Sequence, residues 1–243
     1  MDQINKAKSI SIWIFIVPFI AVNICLIVTT HFHSLIEMYY GSNESEQYKL
    51  DHMFPYIDGK ASISRTARFF PTYLIFKPAM FLTSYFLIKY WLYNKDIFKY
   101  FDHQNENINK FVYFGIASAI ALTLHSIFLG IKIDNDFYKL FRRIVMFVFI
   151  IFEIVAQVYL VKALYSIKHK IFNYINQTIL RFKLFLVSIL VIVALISIPI
   201  ISLPGDNFYG LNLKHLKHAL EWDYFIGVIS FYLLTFFMWK KTS

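Results

Sequence analysis

The chain has 243 residues, 58% of them hydrophobic and 20% aromatic, with a formal net charge of +9. That apolar share exceeds the norm for a water-soluble domain. The single cysteine, Cys25, excludes an intrachain disulfide, and the absence of G-x-S-x-G and G-x-x-x-x-G-K argues against α/β-hydrolase and phosphate-loop chemistry.

Six apolar stretches organise the sequence: Ile10–Thr30, Phe70–Leu92, Phe111–Ile131, Ile144–Leu164, Phe182–Leu203 and Leu220–Trp239. Each has the ~20 residues that a helix needs to cross a hydrocarbon layer of ~30 Å. Backbone polar groups in lipid must pair within their own segment, so each stretch is expected to be a transmembrane helix. The expected fold is all-α: a six-helix membrane bundle forming one domain over residues 1–243, with a long outer loop at 31–69. Lys6 and Lys8 before the first stretch imitate a secretory signal. The apolar run is longer than a signal core and no small-residue cleavage site follows, so a retained helix is expected. Cys25, within it, reads as a packing residue.

In the long loop, Arg65 and Arg68 are one turn apart if that piece is helical, a spacing suited to gripping a phosphate at two points. The second span carries Lys77 about two turns from its outer end, free to snorkel outward. The third combines the small-residue segment Ile116–Ala121, which permits close helix approach, with His125. In the fourth, Glu153 sits ten residues in, about 15 Å deep at 1.5 Å per residue. Gln157 follows at i+4 on the same face, and Arg142 precedes by three turns. Glu221 and Asp223 open the sixth span, where acids also suit the helix dipole. Pro18, Pro78 and Pro199 lie within spans, each a possible kink. Trp91, Trp222 and Trp239, with Tyr90, Tyr93 and Tyr224, fall near span ends and read as interfacial anchors.

Lys and Arg slightly favour the side that holds both termini, with Lys168, Lys170, Arg181 and Lys183 among them, so the termini are expected to be cytoplasmic. The positive charge then reads as an orientation signal facing anionic lipid, and no nucleic-acid partner is expected. Of two sequons, Asn43-Glu-Ser45 and Asn176-Gln-Thr178, the second falls in a connection placed inside.

Asp58, Arg65, Arg68, Lys77, His125, Glu153, Gln157, Glu221 and Asp223 are the candidate residues of a polar pocket open to the outer leaflet and fit for a lipid head group. No catalytic residue and no cofactor is assigned. His215, His218 and Glu221, spaced i, i+3, i+6, and His31-x-His33 are weak metal-ligand candidates.

Phe54-Pro55-Tyr56-Ile57, ahead of the second span, resembles the L/F-P-x-I-S signature in the first extracytoplasmic loop of the Frag/DRAM/Sfk family, with Asp58 where that family has serine. Glu221-Trp222 followed by Phe231-Tyr232-Leu233-Leu234-Thr235-Phe236 resembles its closing helix. Six spans, cytoplasmic ends and a long first loop are similar too. The resemblance implies lipid-linked roles: remodelling, distribution between leaflets or trafficking regulation, with membrane lipids as partners. The location expected is the plasma or inner membrane of a bacterium, or an endomembrane of a eukaryote. The rival readings are a metal-dependent intramembrane lipid hydrolase and a small transporter or channel.

Overall fold

The computed structural model describes residues 2–46, 48–50, 53–131, 135–202, 207–208 and 211–240, and these are 84% helical. Six long helices carry the architecture: α1 (Asp2–His31), α5 (Thr72–Phe101), α6 (Asn107–Phe128), α7 (Asp136–Ser166), α8 (Gln177–Ser202) and α9 (Leu213–Met238). Three short ones lie in the first long connection: α2 (His33–Ser45), α3 (Pro55–Asp58) and α4 (Ile63–Ala67). A two-residue antiparallel pair, β1 (Asn207–Phe208) with β2 (Leu211–Asn212), precedes α9. Leu203, the expected end of the fifth span, lies outside the described residues.

Five of the long helices, α1, α6, α7, α8 and α9, are long and apolar enough to cross a membrane. The remaining expected span folds as a helix of 30 residues, α5, but does not reach the same apolarity. Its Lys77, Lys89, Lys95, Asp96 and Lys99, and its five tyrosines, lower its mean hydropathy. Inside the bundle it behaves as the others do. It packs between α1 and α6, and Phe76, Met80, Leu87, Tyr90 and Trp91 are buried.

The long helices alternate in direction. Lys8 of α1 lies over the Phe236 ring of α9 at 5.2 Å, and Ile175 pairs with Trp239, so the first and last helices meet at one end. The connections 102–106 and 167–176 share that end, joined by Lys170 to Asp102 (3.2 Å) and Asn105 to Ser166 (2.8 Å). The opposite end is capped by α3 and α4. The Trp222 indole donates to Ala61 O (2.9 Å), Tyr56 stands edge-on to Trp222, and His218 Nδ1 donates to Gly59 O (3.0 Å). Gly59 has φ +57, and a Cβ there would fall 1.8 Å from His215 O, so only glycine lets the cap lie this close to α9.

The tryptophans overturn the anchor reading. Trp91, Trp222 and Trp239 are fully buried, as is Tyr90, while Tyr224 is nearly so. Trp91 packs against Phe111 and Tyr232 and fills the space over Gly115, where a Cβ would meet the ring at 2.3 Å. Large rings beside glycine or small side chains are core packing, not interface contacts. Cys25 is buried, with Sγ 3.4 Å from Thr72 O, as expected of a packing residue. The second sequon has a local explanation: Asn176 Oδ1 accepts from Thr178 N (3.0 Å) and so caps the start of α8.

Candidate functional site

α1, α5, α6, α7 and α9 surround a cavity of about 90 Å³, while α8 lies outside it against α9 and α7. One water needs only ~10–15 Å³ on this measure. The walls are apolar: Ile14 and Val22 from α1, Phe76 and Met80 from α5, Leu122 from α6, Phe149 from α7. Such a lining favours a hydrocarbon guest over water. Only a few polar side chains reach it, among them Glu153, Tyr232, His125, Glu221 and Ser64.

Glu153 and Tyr232 form its floor. Glu153 is fully buried and has three side-chain partners. The Tyr232 hydroxyl and Gln157 Nε2 (3.2 Å) donate to Oε1, and Ser118 Oγ meets Oε2. Gln157 Nε2 also reaches Val228 O at 3.2 Å, which ties α7 to α9. Ser118 has a single proton, and Gly115 O lies 2.8 Å from its oxygen. A carboxyl that donates to Ser118, while Ser118 donates to Gly115, satisfies all three groups and leaves no buried charge. The floor is therefore a neutral hydrogen-bond set, closed around the Glu153 carboxyl, that joins α6, α7 and α9, with Gln157 Oε1 left buried and without a partner.

Below the floor, towards the end with the termini, Lys183 is also fully buried. It donates to Thr235 Oγ1 (2.7 Å) and sits 3.8 Å above the Phe231 ring. Thr235 Oγ1 lies 3.2 Å from the Tyr90 hydroxyl. In the sequence Lys183 counts among the basic helix ends that set orientation. It is an interior group, because α8 turns this position against α9 while Arg181 and Phe182 stay exposed.

The mouth is different in character. α4 starts at Ser62, whose Oγ caps Arg65 N (3.2 Å), and ends at Arg68, so Arg65 and Arg68 do lie about one helical turn apart. The Glu221 carboxylate accepts from the backbone of Ile63 and Ser64, which docks α4 on α9. Arg142 lies one turn before Met146, a cavity-lining residue of the same α7 face. Gly130, with φ +84, leaves room for Arg68 O, which a Cβ would approach to 2.6 Å, and so brings the end of α6 up to Arg68. The Arg68 guanidinium is held below its ordinary range, first by partial burial and then by the charges of Arg142 and Arg65. Among the described residues, none of the three arginines has an acidic partner within ion-pairing distance, and Arg142 Nε is buried without a hydrogen bond. His125 Nδ1, buried beside Arg142, is likewise unpartnered.

Not every expected pocket residue belongs here. Asp58 is turned back on its own segment: its carboxylate accepts from Phe54 N and Lys60 N, each at 3.0 Å, and closes the α3 turn. Lys77 points outward and donates to Ile127 O (3.3 Å) at the end of α6. Asp223 is exposed beside Tyr56 and does not line the cavity. Gln157 lies behind Glu153 rather than in the wall. Among the described residues no three His, Cys, Asp or Glu side chains converge as a metal site would require. His218 is taken by Gly59 O, and His33 Nε2 lies against Thr29 O and Leu50 O, so neither metal candidate forms a ligand set. Sequence reasoning missed Tyr232, Ser118, Lys183 and Thr235. Hydroxyls in apolar helices were the available signal, but nothing in the sequence pairs them.

No family model matches the chain, and no curated protein or solved structure gives a significant match.

Proposed function

We propose that this is a six-span membrane protein with cytoplasmic termini that binds an anionic lipid at its extracytoplasmic end. The lipid phosphate is held by Arg65, Arg68 and Arg142, and part of its hydrocarbon enters the cavity above Glu153. The observation that carries this reading is the pairing of opposites at one place: three arginines with no acid among the described residues, directly over an apolar cavity. Clustered like charges cost free energy unless an anion joins them, and guanidinium groups grip phosphate bidentately. α5 counts as the sixth span because it is 30 residues long and packed between two apolar helices. The same reading keeps the resemblance to the Frag/DRAM/Sfk family as its context. The role proposed is lipid distribution or remodelling, in which the protein holds or presents a lipid.

The test is native mass spectrometry of the purified chain. Wild type retains a phosphate-bearing lipid, and Arg65→Ala/Arg68→Ala loses it while keeping its melting temperature. Equal retention by the variant overturns the reading. Lipidomics of a deletion strain then names the lipid class affected.

A further inference from the structure

α8 is the least embedded of the five apolar helices. Only 22% of its apolar window is buried, against 39–44% for the others. Phe182, Phe185, Leu195 and Ile196 are all exposed on it. Where it leans on α7, the two helices leave a lateral groove of about 630 Å³, several times the central cavity. Its walls are Val158 and Val161 of α7 and Leu184, Val187 and Val191 of α8.

The groove is polarised along its length. Lys162 lines it from the α7 side, close to the connection 167–176. Arg181 lies one turn before the wall residue Leu184, on the α8 stripe that continues to Ser188 by the i, i+3, i+7 spacing, and so flanks the same end of the groove. Both cations are exposed, and among the described residues neither has an acidic partner within ion-pairing distance. The nearby acid, Asp102, is taken by Lys170. The hydroxyls of Ser166 and Ser188 are spent on their own helices, at Ala163 O (2.8 Å) and Leu184 O (2.9 Å). The charged capacity of the groove is therefore cationic and sits at one end, beside the Tyr165 ring, with mostly hydrocarbon walls beyond it.

We propose that this groove is a second, separate site that holds one anionic phospholipid from the leaflet on the side of the termini, its phosphate between Lys162 and Arg181 and one acyl chain along the valine walls. The polarity matches an amphiphile: negative head at the helix ends, apolar tail towards mid-membrane. A helix of a second copy fits less well, since it would press two unpaired cations against a chain of net charge +9.

The test uses the full chain in detergent, titrated with phosphatidylglycerol or phosphatidylcholine and read by native mass spectrometry. It is run in the Arg65→Ala/Arg68→Ala background, so that the arginine site of the other end is silent whichever way that reading falls. Phosphatidylglycerol should bind about tenfold or more tightly than phosphatidylcholine. Lys162→Ala/Arg181→Ala should abolish the preference, and Val187→Trp, which fills the groove, should weaken both lipids. The two alanine substitutions are at exposed positions, so the first variant remains informative if the tryptophan variant misfolds. No preference in the background protein, an unchanged preference in Lys162→Ala/Arg181→Ala, or a dimer that Val187→Trp dissociates would each overturn the proposal.

Discussion

At the floor of the central cavity, Glu153 is buried among Tyr232, Ser118 and Gln157, and its carboxyl oxygens are all engaged. At the mouth, Arg65 and Arg142 both bear on Arg68, and among the described residues no acid pairs with any of the three. Both are clusters of ionisable or polar groups in a largely apolar protein, yet they solve different problems. A carboxyl whose partners all come from neighbouring helices specifies how those helices meet. An open set of like charges is stable only with a ligand or water. The contrast shows that partnering, rather than polarity or depth, separates a structural polar residue from a binding one in this bundle.

The largest effect should come from breaking the floor. Glu153→Ala orphans the buried Tyr232 hydroxyl, takes one partner each from Gln157 and Ser118, leaves a cavity, and should lower stability by on the order of 3 kcal/mol, seen as a lower melting temperature in detergent. Glu153→Gln presents one donor and one acceptor, as the neutral carboxyl does, and should melt close to wild type. A strongly destabilised glutamine variant would mean that Glu153 is ionised and the floor is not closed.

Next is the close approach of Gly130 to Arg68. Gly130→Ala sets a side chain at φ +84 and pushes on Arg68 O, which should cost about 1–2 kcal/mol and also weaken lipid retention. Loss of stability with retention intact would separate the α6 end from the arginine cluster.

At the mouth itself the effects should part company. Arg65→Ala/Arg68→Ala should leave stability within about 0.5 kcal/mol of wild type, because it relieves repulsion and removes no ion pair among the described residues, yet should abolish lipid retention. The smallest effect is at the end with the termini. Lys170 holds the partly exposed Asp102 carboxyl below its ordinary range, chiefly through a hydrogen bond. A depressed carboxylate adds stability above its unfolded value and loses it as pH falls through the lower folded value. Asp102→Asn should therefore narrow the difference in melting temperature between neutral and acidic pH only slightly.

Much of this plan was legible in the amino-acid pattern because it is local. The apolar runs placed the long helices, the i+4 spacing put Gln157 with Glu153, and one turn joined Arg65 to Arg68. What stayed hidden depends on which way a side chain turns once helices meet. Asp58 satisfies its own turn, and Lys77 caps a neighbouring helix. Lys183 faces inward, although its immediate neighbours Arg181 and Phe182 are exposed. Trp91 and Trp222 fall near the ends of the apolar runs, as interfacial rings do, but α5 and α9 extend well past them, and Gly115 opposite Trp91 turns that position into core. α5 shows the same limit in reverse: hydropathy undervalues a helix whose Tyr90 and Trp91 are buried by its neighbours.

The most direct test is a cryo-electron microscopy map of the protein in nanodiscs made with anionic lipid. The account predicts a phosphate-sized density between Arg65, Arg68 and Arg142, continuous with a tail that enters the cavity towards Glu153. A map that shows the three guanidinium groups neutralised by the chain's own carboxylates, with lipid only on the outer surface, would contradict it.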